Sequence, residues 1–345
     1  MSTLSKEREP FLDIIRGGAA ICIVLYHYTT RYDQMIGHKG MWPFTLSWGW
    51  MAWAIFFIMS GYLVYPKAQS ISHFVKGKMV RLYPGYWASM CVSFMVTTFY
   101  LKEFSTSCRD FVIDLSMIGN YLGAKSVVGV DWTLSVDLIF YALISLIIIL
   151  KRKGNVSEAK IIALWGIVSC TVMLFNDVGI ENTVLKIVRI GLAAQYAHLF
   201  LAGSFLRRIK QKIGNRKINL TCVAFSILAH WIAFQSISFE LFYCVVIAVF
   251  LCFAFELKFD LPRKLHHIIA PIGVALTWIA GISYPLYLVH EYLGFAILKC
   301  FENVGMTSEI FIFAPITVSI IVAYGIHKYI ECPVTIKIKR KNERT

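Results

Sequence analysis

Ten stretches of this chain are long and apolar enough to span a lipid bilayer, at roughly 11–30, 46–65, 84–101, 132–150, 159–175, 184–206, 218–234, 239–256, 272–298 and 309–330. A segment in hydrocarbon must satisfy its own backbone N–H and C=O groups, so runs of this length fold as helices. With 58% apolar and 16% charged residues among 345, the chain is far from the composition of a soluble domain. The sequence therefore predicts an all-α integral membrane protein. It is a bundle of about ten transmembrane helices forming one domain over 1–345, with short tails at about 1–10 and 331–345. The sixth stretch opens with Lys186 and Arg189, and the overlong ninth contains Gly281 and Pro285, where a kink is expected.

Loop charge gives an independent test of that topology. With both termini inside, alternate loops place 25 of the 34 Lys and Arg residues on the inner side and 6 on the outer, with Arg16, Lys186 and Arg189 inside the membrane. This asymmetry is the expected one for cytoplasmic N- and C-termini. The formal charge of +14 is then positive-inside signal and attraction to the lipid bilayer's anionic head groups, not a nucleic-acid surface. The first stretch lacks a small-residue cleavage site and carries Asp13 and Arg16, so it reads as a retained helix and not as a signal peptide.

Within that first stretch, Arg16 and His27 are eleven residues apart. Eleven steps of about 100° come within roughly 20° of three full turns, with a rise of about 16 Å. The two ionisable side chains thus share one face at different depths. Such groups are costly inside a membrane and mark cavities or pathways.

Other segments add to this pair. They are Phe56-Phe57-Ile58-Met59-Ser60-Gly61, Lys78-Met79-Val80-Arg81, Asp131-Trp132-Thr133-Leu134-Ser135-Val136-Asp137, Ser283-Tyr284-Pro285-Leu286-Tyr287-Leu288-Val289-His290 and Glu331-Cys332-Pro333. Together with Leu12-Asp13 and the Arg16/His27 spacing, they resemble the membrane acyltransferase-3 family, whose stand-alone members O-acetylate surface polysaccharides. The resemblance runs from Leu12 to Pro333. Two positions depart from the family pattern. Lys78 stands where the first arginine of an Arg-x-x-Arg pair is usual, which keeps the charge but loses the bidentate fork. Asp137 stands where glutamate is usual and is one methylene shorter.

The resemblance implies an O-acetyltransferase of the cell (inner or plasma) membrane, with acyl-CoA, expectedly acetyl-CoA, as donor. The acceptor it implies is an envelope glycan, such as an O-antigen, capsule or other lipid-linked unit. In that frame Arg16, Lys78 and Arg81 form a cationic mouth at the cytoplasmic end for the phosphates of the donor. His27 acts as general base or as transient acyl carrier. Asp137 is a candidate to orient His27, as the acid of a triad does. Ser283, Tyr287 and His290 recur on one helix face and are candidates to line the acceptor cavity. Trp132 is a candidate sugar platform, and Asp13 and Glu331 are candidate supports for Arg16. No metal-ligand spacing and no phosphate-binding Gly-Lys-Ser/Thr loop is visible.

Plainer readings stand beside these. His27 is otherwise a satisfied core histidine, and Arg16 packs helices through Asp13 or Glu331. Lys78 and Arg81 are otherwise ordinary positive-inside charges, Ser283, Tyr287 and His290 bond helix to helix, and Trp132 is an interface-belt residue. At the level of function, the alternatives are a glycolipid transporter or flippase and a non-catalytic scaffold of polysaccharide assembly. With no appended soluble domain in view, the expectation is a self-contained glycan modifier.

Overall fold

The computed structural model describes residues 9–40, 44–64, 70–154, 156–177, 183–257 and 263–342. Among them there are helices and no strands. In chain order the α-helices are α1 (Pro10–Tyr26), α2 (Tyr32–Met35), α3 (Trp53–Leu63), α4 (Ile71–Phe99), α5 (Cys108–Asp114), α6 (Trp132–Lys153) and α7 (Glu158–Asp177). They continue as α8 (Thr183–Gly191), α9 (Ala197–Lys210), α10 (Arg216–Phe234), α11 (Ile237–Ala254), α12 (Arg263–Asn303), α13 (Phe313–Ile326) and α14 (Cys332–Asn342). A π-helical turn, His27–Arg31, joins α1 to α2, and another, His327–Glu331, joins α13 to α14.

Seven helices among the described residues are long and apolar enough to cross a membrane, so the chain is a multi-pass membrane protein. The three other expected spans differ for identifiable reasons. Gly49–Leu63 is apolar but short, below the roughly 20 residues a crossing needs. The stretch at 84–101 is the second half of α4, a 29-residue helix whose first half carries Lys76, Lys78 and Arg81. The stretch at 184–206 is not one helix. Ala193 adopts φ 46°, the Ala194 N–H closes back on the Arg189 carbonyl at 2.9 Å, and the Trp165 indole N–H donates to the Leu192 carbonyl at 3.0 Å. By contrast, α12 runs unbroken over 41 residues through Gly281 and Pro285.

The chain forms two compact units, the first built from 1–52, 76–135 and 263–345 and the second from 53–75 and 136–262. In the first, α1 packs along α12. Glycine permits the close approach: a Cβ on Gly17 would strike the Leu276 carbonyl, and one on Gly294 would strike the Tyr28 ring. Small residues at crossings are the usual means of bringing membrane helices together. The Tyr28 hydroxyl then donates to the His290 carbonyl at 2.9 Å and lies 2.8 Å from Ser319 Oγ, which ties the π-turn after α1 to α12 and α13.

In the second unit α9 is the central helix, with α3, α7, α10 and α11 against it. Residues Ala197–Leu206 of α9 are all buried. A Cβ on Gly61 would meet the Phe200 carbonyl and one on Gly203 would meet the Ile58 carbonyl, so α3 and α9 touch through backbone. Phe140 stacks on Phe200, and the Phe57 ring meets Phe200 at a tilt, beside that crossing. The exposed side chains of α10 and α11 include Ile218, Leu228, Ile237, Leu241 and Val245, an apolar outer surface suited to lipid.

Candidate functional site

His27 is the first residue of the π-turn that ends α1. Its Nδ1 lies 2.9 Å from the Ile23 carbonyl oxygen. A ring nitrogen facing a carbonyl must carry the proton, so Nδ1–H donates and Nε2 holds the lone pair. That Nε2 is 3.8 Å from Glu291 Oε1, with 11% and 6% of the respective side chains exposed.

His290 completes the group. Its ring meets that of His27 edge-on, with centroids 4.6 Å apart and an interplanar angle of 87°. His290 Nδ1 lies 2.8 Å from the Tyr287 carbonyl and 3.1 Å from that of Leu286, so here too the free lone pair is on Nε2. His290 Nε2 and Glu291 Oε2 are buried without a hydrogen-bond partner. Orphaned buried polar atoms are rare and call for an explanation. Two ring nitrogens that can only accept, beside a carboxyl group, suit a ligand that brings hydroxyl groups.

Glu291 is seated by a tight loop. Gly129 has φ 86°, in the left-handed region, and a Cβ there would strike the Glu291 carboxyl group. The loop is held by its own bonds. Ser126 Oγ donates to Asp131 Oδ1 at 2.6 Å and accepts from the Gly129 N–H at 2.7 Å, while the Val127 N–H donates to Asp114 Oδ2 at 2.9 Å. The Tyr86 hydroxyl donates to the Asp114 carbonyl at 2.8 Å, and Asp131 Oδ2 lies 3.3 Å from the same hydroxyl. Burial, reinforced by the neighbouring Asp131 carboxylate, pushes the Asp114 carboxyl up to about 7.

The charged residues at the start of α1 form a second group. Arg16 lies 3.4 Å from Asp13 Oδ1, and Arg81 is close enough for the two guanidinium groups to act on each other. Arg81 also acts on Glu331, whose Oε2 lies 2.8 Å from His327 Nδ1 and whose Oε1 occupies the place a Cβ on Gly85 would take. Of the expected residues, Asp13, Arg16, Arg81 and Glu331 thus come together. Lys78 is half-buried one turn before Arg81 on α4.

The expected acceptor face divides. His290 joins His27, whereas Ser283 Oγ donates back to the Ala280 carbonyl at 2.9 Å. The Tyr287 hydroxyl donates to the Val130 carbonyl and accepts from Thr133 Oγ1, both at 3.2 Å. Trp132 and Asp137 lie on α6, both half-buried. Asp137 belongs to the second unit, and within the first unit the carboxyl group that faces His27 is that of Glu291. Sequence reasoning passed over Glu291. One step along a helix turns the side chain by about 100°, away from the face that Ser283, Tyr287 and His290 define. The available signal was the cost of a carboxylate in the middle of an apolar run.

Among known proteins, the chain is 24% identical over 173 residues to Nodulation protein 10 of Rhizobium leguminosarum bv. viciae, an alignment covering 44% of this chain and 47% of that protein. The chain thus spans about half the length of this curated relative. No solved structure matches it. The model of the acyltransferase domain of the acyltransferase-3 family matches residues 9–326, nearly the whole chain, and the protein belongs to that family of membrane acyltransferases.

Proposed function

We propose that this membrane acyltransferase moves acetyl from cytoplasmic acetyl-CoA to a hydroxyl group of an envelope glycan at the cell membrane. The observation that carries the reading is the hydrogen bond from His27 Nδ1–H to the Ile23 carbonyl at 2.9 Å. It leaves Nε2 as a base inside a buried, hydroxyl-accepting site. As the acceptor oxygen attacks the thioester carbonyl, Nε2 takes the hydroxyl proton, the new C–O bond forms and the C–S bond to CoA breaks. Arg16 and Arg81, with Lys78 beside them, suit the donor's phosphates. Two guanidinium groups that act on each other gain from an anion between them, and among the described residues Arg16 pairs with the Asp13 carboxylate at 3.4 Å.

The test is the O-acetyl content of surface polysaccharide, measured by NMR in a deletion strain complemented at matched membrane abundance. Acetylation restored by the wild type and lost in His27→Ala supports the reading. Equal restoration by both removes His27 as the base. Acetylation independent of the protein, with the surface glycan itself lost in the deletion, replaces transfer chemistry by glycolipid transport.

A further inference from the structure

The position of Glu291 differs from that of the acid in a hydrolase triad. In a triad the carboxylate accepts the Nδ1–H of the histidine and lies behind the ring, away from substrate. Here that place is taken by the Ile23 carbonyl, and Glu291 Oε1 faces the opposite edge, 3.8 Å from the Nε2 lone pair. Two groups that both only accept protons would repel at that separation. A single proton on Glu291 removes the conflict and also neutralises a carboxyl group whose other oxygen is buried without a partner.

We propose that Glu291 is a second catalytic group of the transferase, entering each cycle as a neutral acid and delivering its proton to the departing CoA sulfur. This rests on the acyl-transfer reading given above and deepens it. The balance is closed. His27 Nε2 takes the proton of the acceptor hydroxyl, the oxygen bonds to the acyl carbon, and the C–S bond breaks with its electron pair going to sulfur. Glu291 Oε1–H then protonates the thiolate to give CoA thiol. The imidazolium afterwards returns its proton across the 3.8 Å gap to the carboxylate, which restores both groups.

The surroundings fit a proton donor better than a packing residue. The Gly129 loop leaves room for the carboxyl group only because residue 129 has no Cβ. The charged and titratable groups that act on Glu291 are His27, Tyr26, Tyr28 and Arg31 from the first helix and its π-turn, Asp131 from the loop, and Tyr292 beside it. Neither Arg31 nor any other cation forms an ion pair with it among the described residues. A carboxylate placed there for electrostatic packing would have such a partner.

Transfer of label from radiolabelled acetyl-CoA to the glycan fraction is measured across pH in membrane vesicles carrying the full chain. An acid that must be protonated makes the rate fall as pH rises, and Glu291→Gln removes that group while keeping its shape. The expected result is about a 10²-fold lower rate and loss of the alkaline fall, with Glu291→Asp recovering part of the rate and shifting the fall. A Glu291→Gln profile that superimposes on the wild type's, at any rate, overturns the proposal. If Glu291→Gln does not accumulate, Glu291→Asp decides alone: a displaced alkaline limb supports the acid and an unmoved one contradicts it. A wild-type protein that transfers no label would instead contradict the acyl-transfer reading itself.

Discussion

Among the described residues, each unit of this protein holds a pair of facing buried histidines beside a glutamate, and the two groups differ in where the glutamate stands. In the second unit, Glu240 Oε2 takes the Nδ1–H of His230 at 2.7 Å. The Tyr243 ring stacks on His230 at 4.2 Å, and His198 meets it edge-on at 5.2 Å. The Tyr243 hydroxyl donates to Ser226 Oγ at 2.9 Å, which fixes the stack. In the first unit, backbone carbonyls hold both Nδ1–H groups and Glu291 stands 3.8 Å from the His27 lone pair. A carboxylate at full hydrogen-bond distance behind a ring locks it in place. A carboxyl group held off in front of the lone pair leaves a path for a proton. Residue composition is nearly the same in the two groups, and the placement of the carboxyl group about the imidazole distinguishes them.

The largest expected effect concerns the frame that holds the second group. Gly61→Leu or Gly203→Leu drives a side chain into the backbone of the facing helix. Such overpacking cannot relax by a rotamer change, so the variant should fail to accumulate in the membrane, as checked by immunoblot of the membrane fraction. Normal accumulation with normal thermal stability would show that α3 and α9 do not need the close crossing.

Next in size is Gly129→Ala, which acts on the first group alone. The methyl group displaces the Glu291 carboxyl group and strains a residue at φ 86°. Acetyl transfer should fall about tenfold or more while membrane abundance is largely kept, read as label transfer per amount of protein. Unchanged transfer would mean that the seat of Glu291 has no bearing on the reaction.

Glu240→Gln should do the reverse. Weakening the acceptor of a buried imidazole N–H costs about 1–3 kcal/mol, seen as a lower Tm in detergent, with the rate per folded molecule unchanged. A lost rate at unchanged Tm would place the second histidine group in the chemistry.

A further effect is a pH dependence of the loop that seats Glu291. The Asp114 carboxyl is pushed up to about 7 by burial and by Asp131, against about 3.9 in an unfolded chain. Between those values the unfolded chain binds fewer protons than the folded one, so stability falls as pH rises from about 4 to about 7 and is level above. Thermal unfolding across that range should show the fall, and Asp114→Asn should flatten it. A wild-type Tm that rises with pH there, by an amount Asp114→Asn removes, would reverse the assignment.

Much of the fold was legible because apolar length is a strong signal. Most of the expected spans appear as long apolar helices, with Arg16 on α1 and His27 at the start of the π-turn that follows it. The break between α8 and α9 was not legible, because a left-handed alanine at 193 has no residue signature of the kind glycine gives. Nor was α4, where a helix continues through charged residues that the hydropathy pattern assigns to a loop. At the site, Asp13, Arg16, Arg81 and Glu331, and likewise His27 and His290, were singled out from their neighbours in sequence and lie together in the fold. Glu291 was hidden by its neighbour His290, since periodicity assigns a face and this carboxyl group lies off that face. The seat made by Gly129 was hidden for another reason: it joins residues 162 positions apart, a tertiary fact that no local pattern encodes.

Acetyl transfer per folded molecule, measured for His27→Ala and His230→Ala in the same vesicles, sets the two histidine groups side by side. Transfer below about 1% of wild type is expected for His27→Ala at near-normal Tm, and near-normal transfer with a lowered Tm for His230→Ala. Retained transfer in His27→Ala, or lost transfer at unchanged Tm in His230→Ala, would contradict that expectation.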